Sequence, residues 1–175
     1  GALIMWAFKF DAIAGYKALW TGAAGSPFNI GQSLRAATPL IFTGLGFSVA
    51  YTAGFFNIGL SGQALAGWLA SIWVALALPD APRMIVLPLA IIAGMIAGAF
   101  WAAIAGVLKA YFNTSEVIVT IMLNYISVYI SDYLVRNVLT NKGDVTPQIG
   151  DNATLRAPWL SELTKGSTLH TGIFI

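Results

Sequence analysis

The stretch that decides the fold is NIGLSGQALAGWLASIWVALAL, residues 57–78. Its length matches the roughly 20 apolar residues that a helix needs to cross a bilayer. Its first turns, however, place Asn57, Ser61 and Gln63 among glycines. Because hydrocarbon holds no water to pair a loosened backbone or an amide, such a segment has to face protein, a cavity or a substrate path. We therefore predict a membrane helix whose polar beginning carries the function.

The same length rule finds three more complete spans, at residues 34–56, 84–108 and 116–135. Apolar sequence at residues 1–8 and from Leu169 onward indicates two partial spans. We predict an all-α, polytopic transmembrane helical bundle that forms a single domain over residues 1–175, a fragment cut at both ends.

Three connections between the spans are predicted. Residues 9–33 contain GYKALWTGAAGSPF, which predicts a short interfacial helix followed by a turn. The segment LPDAPR predicts a tight turn, since prolines on both sides of Asp80 and Ala81 do not fit inside a helix. Residues 136–167 form the long hydrophilic stretch and predict a structured aqueous loop.

The composition excludes several classes of function. Hydrophobic residues make up 58% of the 175 and charged residues 9%, against roughly 25% charged in soluble domains. The net charge of +2 comes from scattered basic residues and forms no patch for nucleic acid. With no cysteine and one histidine, thiol catalysis, disulfides and a thiolate or histidine-rich metal site are excluded, so we expect no metal.

Small residues recur at every fourth position of the span at residues 84–108. This ladder favours close packing of the span against another helix, in the bundle or at a subunit contact. The alternative is that glycine and alanine are simply common in membrane helices. The ladder residues are Ala90, Gly94, Gly98, Ala102 and Gly106.

Polar residues of the span at residues 116–135 fall on one helical face, which predicts that this side avoids lipid. Alternatively, its hydroxyls bond to carbonyls of their own helix, and an acidic residue at its start interacts with the helix dipole. The face consists of Glu116, Thr120, Asn124, Ser127 and Ser131.

Two long motifs connect this chain to a known family. TPLIFTGLGFSVAYTAGFFNIGLSGQALAGW, residues 38–68, and NTSEVIVTIMLNYIS, residues 113–127, resemble the inner-membrane permease of bacterial ATP-binding-cassette (ABC) importers. The similarity is to the simple sugar and nucleoside branch. Phe55 stands where that branch has leucine in GLFNIG, and Ser61 stands where it has glutamate.

The resemblance implies a multi-pass permease subunit of the bacterial plasma (inner) membrane, without catalysis or a bound cofactor of its own. The implied partners are cytoplasmic ATPases that bind ATP, a second permease subunit and an extracytoplasmic substrate-binding lipoprotein. It also implies that residues 136–167 are an extracytoplasmic loop. The positive-inside rule favours the reverse orientation, because all basic residues except Lys109 lie on that side or its edges. We follow the resemblance.

Two other classes of function remain open. GLSG at residues 59–62 resembles the serine motif of rhomboid intramembrane proteases, which would require His170 to activate Ser61. Alternatively, a secondary transporter or channel would also place broken helices at the midplane, but it should carry buried charge. Here Glu116 and Asp132 both lie near helix ends.

The residues expected to line a translocation path are Asn57, Gln63, Asn124 and Tyr125. Amides both donate and accept hydrogen bonds, as a neutral polar solute such as a nucleoside or sugar requires. Tyr125 is expected to stack on a base or cover a sugar face. The alternative for the amides is hydrogen bonding between helices.

Overall fold

The computed structural model describes residues 1–140 and 145–174 of this chain, and the elements in that part are helical. The α-helices are α1 (Ala2–Ala7), α2 (Ala12–Ala24), α3 (Pro27–Thr52), α4 (Leu60–Ala77), α5 (Arg83–Phe112), α6 (Glu116–Leu134) and α7 (Pro158–Leu163). A π-helical turn, Val135–Leu139, continues α6, and Asp151–Ala153 and Thr171–Phe174 are 3-10 turns. The predicted all-α bundle is confirmed.

Among the described residues, three helices are long and apolar enough to cross a membrane: Leu60–Ala77, Arg83–Phe112 and Glu116–Leu139. The predicted span at residues 34–56 lies largely in α3, which is not one of these three. That helix begins at Pro27, so it carries the polar residues Gln32 and Arg35 as well as the apolar run. The count of four full spans is therefore one higher than these helices support.

The break between α3 and α4 differs from its predicted position. Residues 53–59 are not helical, so α3 ends before Phe56 and α4 begins after Asn57. Gly54 has a φ of 79°, a left-handed conformation that a residue with a side chain rarely adopts. The glycine turns the chain out of the helix, and the backbone N–H of Phe55 then bonds to the carbonyl of Ala50 at 2.9 Å.

The chain divides into two compact units. One comprises residues 1–42 and 155–175, where Ala157, Leu160 and Leu169 form a small buried cluster. In this unit α2 provides the helix predicted between residues 9 and 33. The interfacial position of that helix stays a prediction.

The other unit, residues 43–154, contains α4, α5 and α6. Helices α4 and α5 are joined through the predicted PDAP turn, and Pro82 of this turn directly precedes α5. The backbones of Gly67 in α4 and Gly94 in α5 come close: a Cβ on Gly67 would lie 2.9 Å from the Gly94 carbonyl oxygen. Gly98 and Gly106 follow Gly94 in the small-residue ladder of α5. A Cβ on Gly98 would lie 3.3 Å from the carbonyl oxygen of Gln63, whereas a Cβ on Gly106 would meet nothing within 4 Å.

Helices α5 and α6 are joined by a three-residue turn. Asn113 ends α5 with a left-handed φ of 48°, which its short polar side chain tolerates better than most. Across this turn the Lys109 ammonium lies 2.8 Å from the Glu116 carboxylate. Glu116 is therefore paired with a neighbouring residue at the helix end.

At the opposite end of these helices, Asn152 binds the PDAP turn. Its side-chain Nδ2 donates to the carbonyl oxygens of Pro79 and Ala81, each at 2.9 Å. The PDAP turn and the part of the long loop around Asn152 therefore lie together. This contact agrees with the predicted grouping of these two loops on one side of the membrane.

Which side that end faces stays a prediction, and cysteine labelling tests it. We expect Val145→Cys to react with a membrane-impermeant maleimide in intact cells stripped of outer membrane, because Val145 is 80% exposed in a loop expected outside. A cysteine at Tyr111, at the other end of α5, is the matched control and should react only after lysis. The reversed pattern would overturn the orientation.

Candidate functional site

The buried amide of Asn57 organises the non-helical segment before α4. Its Oδ1 accepts hydrogen bonds from the backbone N–H of Gly59 at 2.9 Å and from Nε2 of Gln63 at 3.1 Å. Its Nδ2 donates to Oε1 of Gln63 at 3.4 Å. The side-chain amides of Asn57 and Gln63 thus bond to each other in both directions at the start of α4.

The side chain of Asn124 joins the same segment to α6. Its Oδ1 accepts from the backbone N–H of Gly62 at 2.9 Å, and its Nδ2 donates to the carbonyl oxygen of Ile58 at 2.9 Å. The amide oxygen thus pairs a backbone N–H that the first turn of α4 leaves free, and the amide nitrogen pairs a carbonyl of the non-helical segment before α4. Asn124 thus links α6 to the beginning of α4 by hydrogen bonds, which is the alternative role considered for the amides.

Three polar atoms from two helices converge on Gly62. A Cβ on this buried glycine would lie 2.9 Å from Oδ1 of Asn124, 3.0 Å from Oγ of Ser127 and 3.1 Å from Nε1 of Trp101. Only glycine leaves these polar atoms undisturbed at such distances. We call Asn57, Gly62, Gln63, Trp101, Asn124 and Ser127 the polar cluster.

The polar face of α6 is buried at three of its five positions, and Glu116 and Asn124 are half-buried. Thr120 is fully buried, and Ser127 and Ser131 are 3% and 7% exposed. Thr120 Oγ1 donates to the carbonyl of Glu116 at 2.7 Å, and Ser127 Oγ donates to that of Asn124 at 2.7 Å. The Thr120 and Ser127 hydroxyls are thus satisfied by their own helix, the alternative considered from the sequence, whereas the buried Oγ of Ser131 has no hydrogen-bond partner among the described residues.

Tyr125 does not join the polar cluster. Although it follows Asn124 in sequence, it is 66% exposed, and so are Tyr129 and Tyr133 at 75% and 63%. Successive residues of a helix point about 100° apart, so a neighbour of Asn124 need not share its face. Stacking of Tyr125 on a solute stays a prediction.

The polar cluster joins the beginning of α4 to inner positions of α5 and α6. Trp101, whose Nε1 would lie 3.1 Å from a Cβ on Gly62, is at 1.5 Å per residue about 16 Å from the C-terminal end of α5. Among the described residues, no group of three or more carboxylate, histidine or cysteine side chains is arranged to hold a metal ion. The polar side chains of the cluster are amides, a hydroxyl and an indole, and none of them is charged.

Trp101 was missed by sequence reasoning. Tryptophan is usually found at membrane interfaces, and here it stands within a long apolar helix, three residues after Gly98 of the small-residue ladder. This position could have identified Trp101, because a large side chain next to a close contact between helices projects toward the neighbouring helices.

Residues 29–157 match the family described as branched-chain amino acid transport system / permease component. The chain belongs to this permease family. It is 49% identical to a nucleoside ABC transporter permease protein (NupB) of Lactococcus lactis and 46% identical to a guanosine ABC transporter permease protein (NupP) of Bacillus subtilis. It is 32% identical to a glucose ABC transporter permease protein (TsgB13) of Haloferax volcanii.

All of this chain is covered in each of these three comparisons, whereas 50%, 50% and 48% of the relatives are covered. The chain thus spans about half the length of the curated relatives it matches. No solved structure matches it. The permease resemblance is confirmed, and the chain is a multi-pass integral protein of the plasma (inner) membrane. Neither the rhomboid nor the secondary-transporter alternative has support from these relatives.

Proposed function

We propose that this chain is part of the permease subunit of an ATP-driven ABC importer for nucleosides. The observation that carries the proposal is the difference in identity among relatives. Over the whole chain, the two relatives named for nucleosides or guanosine are 49% and 46% identical, against 32% for the one named for glucose. A sugar is therefore the second candidate solute.

The chemistry of the polar cluster suits a nucleoside. Nucleosides are neutral and carry both donors and acceptors on the sugar and the base, which amides and hydroxyls match without fixed charge. Transport also requires release, so hydrogen bonds to a solute should be individually weak. In this proposal Asn57 and Gln63 line the path, and the Asn124 amide holds the non-helical segment in place beside it.

The remaining machinery of such an importer is assigned to other subunits. We propose that two cytoplasmic ATPase subunits bind and hydrolyse ATP, that a second permease subunit completes the path, and that an extracytoplasmic lipoprotein delivers the solute. This chain then carries out no catalysis and binds no cofactor of its own. The proposal rests on its membership of the permease family.

Uptake by the full-length protein in its complete complex tests this function. We expect ATP-dependent uptake of labelled guanosine that other nucleosides inhibit and that excess glucose leaves unchanged. A complex whose ATPase subunits bind ATP but do not hydrolyse it is the control and should be inactive. Uptake that glucose inhibits and nucleosides do not would contradict the nucleoside assignment, and uptake without hydrolysis would contradict the importer.

A further inference from the structure

The indole N–H of Trp101 has no hydrogen-bond acceptor among the described residues, although its nitrogen is buried. Nearly all buried donors in folded proteins are paired, so an unpaired one requires an explanation. The cost of leaving a donor unpaired is greatest where water is excluded, as inside a membrane. A packing role alone would be served as well by phenylalanine, which lacks the N–H.

The surroundings of this N–H form a small site with unused capacity for hydrogen bonds. Ser127 uses its hydroxyl hydrogen on the carbonyl of Asn124, so the lone pairs of its Oγ remain as acceptors. Oδ1 of Asn124 accepts from Gly62 and has a second lone pair. One donor and two acceptor oxygens thus lie within 3.1 Å of a single point beside Gly62.

Such a set matches a group that accepts one hydrogen bond and donates another. The carbonyl and neighbouring N–H of a nucleobase, and the hydroxyls of ribose, have this character. No charged side chain belongs to the set, so the recognised molecule is neutral. In the present arrangement the site is covered by Gly62, whose backbone is bound to Asn124.

We propose that the Trp101 indole N–H is a specificity-determining donor for the transported nucleoside, exposed when the segment at residues 57–62 moves away from α5 and α6. This inference rests on the proposed function and names a residue of its path. The segment is suited to such movement because residues 57–59 are not helical and residues 60–62 are only the first turn of α4. Its side-chain hydrogen bonds to α6 are the two from Asn124. On withdrawal, the Trp101 N–H donates to a carbonyl or hydroxyl oxygen of the nucleoside.

Trp101→Phe in the full-length complex tests the inference, since it keeps an aromatic ring and removes the N–H. We expect thermal stability of the assembled complex to be unchanged or higher, because the unpaired donor is gone. The KM for nucleoside uptake should rise roughly two-fold to ten-fold, the effect of one useful hydrogen bond. Trp73→Phe, at an exposed position of α4, is the matched control and should change neither quantity.

A panel of nucleosides, each lacking one base carbonyl or one sugar hydroxyl, separates recognition from packing. For at least one analogue, the missing group should raise the KM in the wild type but not in Trp101→Phe. The reason is that the indole N–H, which would bind this group, is absent from the variant. The inference would be overturned if Trp101→Phe left the KM unchanged or raised it only together with a loss of stability. It would also be overturned if every analogue raised the KM equally in both proteins. Absence of nucleoside uptake by the wild-type complex would instead overturn the proposed function.

Discussion

Replacing Gly94 with leucine is expected to prevent assembly of the permease. A Cβ at this position would meet Oγ of Ser71 and lie 3.1 Å from the carbonyl oxygen of Gly67. The Gly67 carbonyl is backbone, so α4 and α5 would have to separate to admit a side chain. Overpacking a close contact costs about 1–3 kcal/mol, and the cost should be at the upper end here because Ser71 also donates to the Ala90 carbonyl at 2.8 Å.

The measurement is the yield and melting temperature of the assembled full-length complex. Gly106→Leu is the matched control in the same ladder, because a Cβ there meets nothing within 4 Å in this chain. Gly98→Leu should fall between the two, since its Cβ would lie 3.3 Å from the Gln63 carbonyl oxygen. Equal losses at Gly94 and Gly106, or none at Gly94, would contradict the packing account.

Asn124→Leu is expected to have the second large effect, again on stability. The substitution leaves the backbone N–H of Gly62 and the carbonyl of Ile58 without the partners they have now. Gly62 is buried, and a buried group left unpaired costs about 1–3 kcal/mol. Assembled yield and melting temperature should therefore fall clearly, beyond what loss of one hydrogen bond to a solute would produce.

Uptake normalised to assembled complex separates the two roles of Asn124. If the side chain only holds the segment at residues 57–62, the surviving complex should transport with its normal KM. Met122→Leu, at an exposed position of the same helix, is the control and should leave yield and uptake unchanged. Full stability of Asn124→Leu with a raised KM would contradict the structural role and make Asn124 a direct solute contact.

The helices could be predicted from the periodicity of the sequence, whereas the residues at which they end depend on backbone conformation. Helices α5 and α6 were predictable because their small and polar residues recur at helical spacing, and the buried Thr120 and Ser127 lie where that spacing puts them. The end of α3 was misplaced because an apolar run such as AGFF contains no hydropathy signal for a turn. There the positive φ of Gly54 decides the boundary.

The polar cluster was predictable in part. Asn57, Gln63 and Asn124 stood out because amides are rare in apolar sequence, and the structure brings them together. Their partners were not predictable, because the contact between Asn124 and Gly62 joins positions far apart in the chain. Trp101 could be assigned to the polar cluster only from the packing of α5 against Gly62.

The central claim is that the break before α4 borders the path of a nucleoside, and a cysteine at Ser61 tests it most directly. Ser61 is exposed at the start of α4, next to Gly62, and the described chain has no native cysteine. In the full complex with any other cysteines removed, a small water-soluble thiol reagent should modify Ser61→Cys. Saturating guanosine should slow that modification, while glucose should not. Modification at the same rate with and without guanosine, or none at all, would contradict the account.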